Sequence, residues 1–338
     1  MIARGGPRPG PVGLTRTGLT LIALTLALVG CGDSGGGTSA VPDPVGPHPI
    51  VLGLQAKGIL DKVTGAAAAS VSSGTAAGLG PRLVGPERRL LTASLRLPTN
   101  LRPEGPATDL TWRRLLVPAQ SGWPRWFVAV GQSASRATPL IWVLWSQDAR
   151  QPYGLWGELV MLPGAELPEV ARADRGAPEV SDDATGLVAS PKDVAVRYAD
   201  VLSAGVGSRH RRAFAPDMFR EQVLRKAAGD RAQLLKLRGT VTSQHIVRGT
   251  PMALRTVDGG ALVIAELTET YTVKVPADAG SVRVGDPQVA ALAGRTSFDQ
   301  RVVQTSTELV AFAVPPTPAG GQVQVVAAAK AHLSATGS

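Results

Sequence analysis

Residues 261–275 read ALVIAELTETYTVKV. Val263, Ala265 and Leu267 alternate with Glu266 and Thr268, the two-residue period of a β-strand. The run is long, rich in β-branched residues and free of glycine and proline, so it predicts a strand of a sheet with one wet face. Glu266 shares its side with Thr268 and Thr270 and reads as solvated. Glu269 and Tyr271 share the other side, where Glu269 is open to either reading.

Working outward, β-rich runs recur at 125–132, 139–146, 154–162, 240–248, 299–314 and 322–329. Long consecutive strands with few helices between them predict an antiparallel sheet and an α+β class. Two helices are legible. Ile59, Val63, Ala67 and Val71 recur every four residues, and Val194, Tyr198, Val201 and Leu202 form a second apolar stripe. Ser190-Pro191 with Asp193 supplies an N-cap, a proline in the first turn and an acid beside the positive end of the helix dipole.

The two halves read alike. One constant offset lays Pro81 on Pro216, Ile59 on Val194, Ser73 on Ser208, and WFVAV (126–130) on ALVIA (261–265). Each half runs helix, proline corner, short helix, strands, which predicts a tandem pair of α+β domains. Residues 163–190 (PGAELPEVARADRGAPEVSDDATGLVAS) are rich in proline, glycine and acids and read as a linker. The expected boundaries are 50–162 for the first domain, 163–189 for the linker, 190–333 for the second domain and 334–338 for a tail.

The amino terminus has a different character. Arg4, Arg8 and Arg16 precede the apolar run GLTLIALTLALVG (18–30), the layout of a secretory signal peptide and shorter than the about 20 residues of a comfortable membrane span. Cys31, the single cysteine of the chain, follows at once. Residues 32–49 are glycine- and then proline-rich and cannot bury a core, so they read as a tether. Leu28-Val29-Gly30-Cys31 resembles the lipobox of bacterial lipoproteins. The resemblance implies a thioether-linked diacylglycerol on Cys31, with Cys31 as acylated first residue of the mature chain at the outer face of the cell membrane. More than one acyl chain anchors stably where one is marginal.

The remaining resemblances are of layout. Helices followed by long curved strands are similar to the nuclear-transport-factor-2-like (cystatin-like) fold, present twice. The chain as a whole resembles a family of uncharacterised actinobacterial surface lipoproteins.

Composition excludes several chemistries. One cysteine permits no internal disulfide, and hydrophobic residues at 44% suffice for globular cores. The formal net charge of +9 is dispersed, which argues for an anionic membrane surface and against nucleic acid. His48, His210, His245 and His332 lie far apart in sequence, with no thiolate to join them in a metal site. The chain has neither a Gly-x-Ser-x-Gly elbow nor a phosphate loop. Some enzymes of the resembled fold place an acid and a tyrosine inside the cone between helix and sheet. Tyr198, Asp200, Glu266, Glu269 and Tyr271 are the residues to examine for that role.

Two features point to binding. All six tryptophans fall within 112–156. Trp142 and Trp145 in LIWVLW (140–145) point to opposite faces of a strand, so one of them, with Trp126, is expected to face a partner or fill a groove. The run Arg209-His210-Arg211-Arg212 reads either as a solvated turn or as a contact for lipid headgroups or an anionic wall polymer. The expected function is a non-catalytic interaction module at the cell surface, facing an envelope protein or wall polymer. A carrier of a small apolar ligand is the alternative, and an enzyme is the weakest reading.

Overall fold

The computed structural model describes residues 47–338. Cys31, the signal segment and the tether as far as residue 46 lie outside the described residues.

Each half contributes two helices and then four strands. In the first, α1 (Gly53–Ser73) and α2 (Gly85–Ser94) precede β1 (Leu110–Leu116), β2 (Arg125–Ser133), β3 (Leu140–Ser146) and β4 (Gly154–Met161). In the second, α3 (Pro191–Ala204) and α4 (Met218–Leu234) precede β5 (Thr240–Arg255), β6 (Ala261–Lys274), β7 (Arg301–Val314) and β8 (Gln324–Gly337), with α5 (Pro287–Ala293) inserted between β6 and β7. The repeated element order agrees with the internal alignment.

Local signals place the helices. The Ser190 side chain accepts from the Asp193 N–H at 3.2 Å, the cap the sequence predicts for α3. Asp217 caps α4 in the same way, accepting from the Arg220 N–H at 2.7 Å. The buried face of α1 is Ala56, Leu60, Val63, Ala67 and Ser70, so Val63 and Ala67 lie on it as expected while Ile59 is only half-buried. Val71 remains 47% exposed.

The eight strands form one antiparallel sheet in the order β1-β2-β3-β4-β8-β7-β6-β5. The two four-stranded meanders meet where the last strand of one pairs with the last strand of the other. That joint is two residues long, Val160 with Ala328 and Met161 with Ala327. Residues expected as two tethered domains therefore share a sheet, and 47–338 fall within one compact unit. The expected tail is part of β8, where Thr336 pairs with Val303. The last tether residues, His48 and Pro49, pair with Gln120 and Ala119.

Both sheet faces are covered. Phe127, Ala129, Trp142, Leu144 and Leu155 pack beneath α1 and α2. Val263, Ala265, Leu267, Val310 and Phe312 pack beneath α3 and α4. On the other face Val128, Ile141, Val143 and Leu159 of the first meander join Leu262, Ile264, Leu309 and Ala311 of the second in a single core.

The segment read as a linker, 163–189, is a strap over that second core, to which it gives Val170 and Ala177. It hydrogen-bonds to both edges of the sheet. Ala177 pairs in parallel with Pro118, just beyond β1. Glu179 pairs with Leu254 of β5, and the Val180 N–H donates to Ala253 at 3.0 Å. Gly176 has φ +74°, and a Cβ there would meet that of Ala119 at 3.0 Å, so the close approach requires glycine. The strap also changes the reading of β6, whose residues 261–267 are buried on both sides. Glu266, expected in solvent, is 6% exposed and pairs with Arg89 of α2.

Candidate functional site

Register brings three of the tryptophans together. Trp126 on β2 lies opposite Trp145 on β3, and Trp145 lies opposite Gly154, two residues before Trp156 on β4. Trp126 is buried, and its Nε1–H donates to Glu179 of the strap at 2.7 Å. Trp145 and Trp156 are half-buried against the strap-side core. Trp156 lies against Gly85 at the start of α2, where φ is +52° and a Cβ would stand 2.6 Å from the indole. Trp123 is 41% exposed, with the Arg125 guanidinium 4.6 Å from its ring centre.

These four rings line one groove of about 1490 Å³, together with Pro124, Pro178, Arg175, Asp182, Arg248 and Glu266. Burial pushes the Glu266 carboxyl upward, and hydrogen bonding and charge from Arg89, with Arg248, oppose the shift. Flat aromatic faces edged by guanidinium and carboxylate groups can stack on the apolar face of a ligand while bonding its hydroxyls.

Of the sequence candidates, Trp126 and Trp145 enter this groove and Trp142 does not. Alternation does send Trp142 and Trp145 to opposite faces, and of the two only Trp145 keeps an open side. Trp142 is fully buried, packs edge-on to Trp112 at 5.1 Å, and donates to Glu158 at 2.7 Å. The expectation that Trp142 belongs to a binding surface is therefore corrected. Arg209, Arg211 and Arg212 are exposed in the turn after α3, and none of them lines the groove. Trp123 and Trp156 are the groove residues the strand reading passed over.

The acids and tyrosines do not gather into a shared cavity. Tyr198 donates to Asp217 at 2.9 Å among Phe214 and Phe312. Burial, then the Asp217 charge, push its phenol well upward. Asp200 accepts from Ser208, and Tyr271 donates to Asp230.

The structure instead gathers a buried ionic cluster across β5–β8. His245 Nδ1 lies 2.9 Å from Glu308 Oε2, and Ser243 Oγ lies 3.0 Å from both His245 Nε2 and Glu269 Oε1. Lys330 Nζ stands 2.7 Å from Glu269 and 2.9 Å from Glu308. Burial raises the Glu308 carboxyl, but the His245 bond and the Lys330 charge outweigh it and hold the group below its usual range. Burial lowers Lys330, and the two glutamates outweigh that and raise it. His245, Glu269 and Glu308 offer ligand atoms within 4.8 Å of one another. The Lys330 ammonium already stands between the two carboxylates where a metal would bind, so the cluster reads as an internal ion-pair network.

A second groove, of about 790 Å³, runs between α2 and α4 over the β4–β8 joint. Leu90, Leu91, Phe219 and Val223 line its walls, and Val160 and Met161 its floor. Glu87 of α2 also lines it and is 6% exposed. Burial, reinforced by the charge of Glu158, pushes its carboxyl up to about 8.

The model of a family described as "Domain of unknown function (DUF8094)" matches residues 88–337. The chain belongs to that family. The match covers both meanders, the strap and α2 from Arg88 onward, and it begins one residue after Glu87. An uncharacterised lipoprotein of Streptomyces avermitilis is 30% identical over 187 residues, 54% of each chain. A second, uncharacterised lipoprotein SCO2278 of Streptomyces coelicolor, is 28% identical over 236 residues, 68% of this chain and 67% of its own. The alignment thus spans about half the length of the first relative. No solved structure matches. Among the described residues no helix is long and apolar enough to cross a membrane.

Proposed function

We propose that this protein is a lipoprotein anchored through acylated Cys31 to the outer face of the cell membrane, where it binds an envelope polysaccharide without catalysis. The convergence of Trp123, Trp126, Trp145 and Trp156 on one groove carries the binding reading. A sugar ring presents an apolar face to an indole and hydroxyls to Arg175, Asp182 and Arg248. The lipobox-like Leu28–Cys31 and the lipoprotein relatives support the anchor.

Co-sedimentation with insoluble cell-wall polysaccharide tests the binding. Loss of a stacking ring worth about 1.4 kcal/mol is a tenfold loss of affinity, so Trp145→Ala and Trp123→Ala should each weaken retention about tenfold while leaving the fold intact. Unchanged retention in both would remove the proposal. For the anchor, Cys31→Ser should release the protein from the membrane fraction, and acyl mass should be found on the Cys31 peptide.

One observation favours a second reading, a carrier of a small amphipathic ligand: the apolar-walled α2–α4 groove. Glu87 there has the raised carboxyl that acid–base catalysis uses. Its neighbour Glu158 is already engaged by Trp142 and by the Ala107 N–H at 2.9 Å. Among the described residues the other charged groups of this groove are paired, which supports binding over chemistry.

A further inference from the structure

Charges in the α2–α4 groove are matched one by one, with a single exception. From α4, Lys226 pairs with Asp230 at 2.7 Å. From β8, Lys330 is held by Glu269 and Glu308, and His332 lies 3.3 Å from Asp286. On the loop after β2, Arg136 pairs with Glu104 at 3.0 Å and stands 4.0 Å from Glu158 on β4. On α2 itself, Arg88 turns to the carbonyls of Leu79 and Gly80, and Arg89 to Glu266. Glu87 is the remaining lining acid, and its polar contact is the backbone N–H of Glu158. Among the described residues no cation pairs with it.

We propose that this groove receives a ligand with an apolar body and a cationic amine, and that the Glu87 carboxyl is the receptor for the ammonium. The proposal rests on the carrier reading and names the ligand's class. A carboxylate buried without a counter-charge is costly, so the group keeps its proton in the empty groove. An ammonium beside it supplies the missing charge. The O–H proton then leaves for solvent, and the carboxylate and ammonium remain as a pair. One proton is released for each cation bound, and charge balances. The Leu90, Leu91, Phe219 and Val223 walls receive the apolar body. An uncharged alcohol gains nothing at Glu87, and an anion is repelled by Glu158.

The test uses the full chain titrated calorimetrically with octylamine, octanol and octanoate. Octylamine stays cationic from pH 6.5 to pH 9, whereas a carboxyl at about 8 is about 3% ionised at the first and about 90% at the second. Octylamine should therefore bind about 30-fold more tightly at pH 9 than at pH 6.5. At pH 6.5 its binding heat should vary with the ionisation enthalpy of the buffer, reporting close to one proton released. Octanol should bind more weakly, independently of pH. Glu87→Gln should melt at or above the wild-type temperature at pH 6.5, bind octylamine no better than octanol, and lose the pH slope. Val223→Trp, which fills the groove, should abolish binding of both.

Equal, pH-independent binding of octylamine and octanol, lost in Val223→Trp, would leave a carrier and overturn the amine assignment. Binding of neither probe would overturn the carrier reading itself. Binding that survives Val223→Trp would place the ligand elsewhere and overturn both.

Discussion

Trp142→Ala and Trp145→Ala separate the core from the groove more sharply than any other pair of substitutions. An aromatic ring buries 150–250 Å², and at about 25 cal/mol per Å² its removal costs about 4–6 kcal/mol when burial is complete. Trp142 is completely buried. Truncating it also removes the indole N–H from the Glu158 carboxylate, which keeps the Ala107 N–H and the more distant Arg136 guanidinium. A hydrogen bond to a charged group contributes about 1.5–3 kcal/mol, and Trp142→Phe should lose about that much while preserving most of the packing. Trp145 is half-buried, so its truncation should cost about 2 kcal/mol. Urea unfolding followed by circular dichroism reads these differences as shifts in midpoint at constant slope. Trp142→Ala should lose most, with Trp142→Phe and Trp145→Ala each losing about 2 kcal/mol, and polysaccharide retention reduced in Trp145→Ala alone. A Trp145→Ala loss equal to that of Trp142→Ala, or a Trp142→Phe variant as stable as wild type, would refute this reasoning.

Glu87→Gln should stabilise the protein in alkali. A carboxyl raised from 4.5 to about 8 in the fold contributes stability below pH 4.5 that is lost as pH rises toward 8. The variant should therefore match wild type near pH 4 and exceed it by a few kcal/mol at pH 9, measured by urea midpoints at each pH. Lys330→Met should cost about 3–5 kcal/mol, since it leaves Glu269 and Glu308 buried without their cation. Because Glu308 is lowered in wild type, its contribution is present above about 4.5 and lost as pH falls through the folded value. The cost of Lys330→Met should thus shrink as pH falls below about 4.5, where wild type loses the same contribution. Gly176→Val should destabilise through both φ and contact with Ala119. In wild type, proteases should spare 163–189 until global unfolding, and early cleavage there would contradict the packed strap.

Features set by neighbouring residues were legible in the sequence. Ser190 caps α3 through a residue three positions away, and alternation in LIWVLW assigns faces correctly. The twice-repeated order of helices and strands shows in Pro81 and Pro216. What covers those faces depends on distant segments. The strap carries mostly small apolar residues at irregular spacing, and its backbone partners lie on strands remote in sequence. Its composition therefore reads as a linker. Glu266 looks solvated beside Thr268 and Thr270 because its partner Arg89 comes from α2 in the other half. His245 gave no sign of burial, since Glu308 and Lys330 meet it only when the sheet assembles. Glu87 was invisible for the same reason: it owes its state to Glu158 and to apolar walls supplied by another helix.

The strap has one more effect, on how neighbouring copies of the molecule meet. Chains tethered to one membrane are confined to a plane, and unpaired strand edges are templates for sideways sheet extension. Beyond β1, the strand at Pro118–Gln120 is flanked by His48–Pro49 on one side and Ala177–Pro178 on the other. The end of β5 is taken by Glu179 and Val180 of the strap. Further along the same edge Ser203 accepts the His245 N–H at 2.9 Å, and Arg231 donates to the Val241 carbonyl at 3.3 Å. Part of each edge is thus occupied from within, and under the proposed anchor a crowded layer of this protein gains resistance to lateral aggregation from a segment whose composition reads as a spacer.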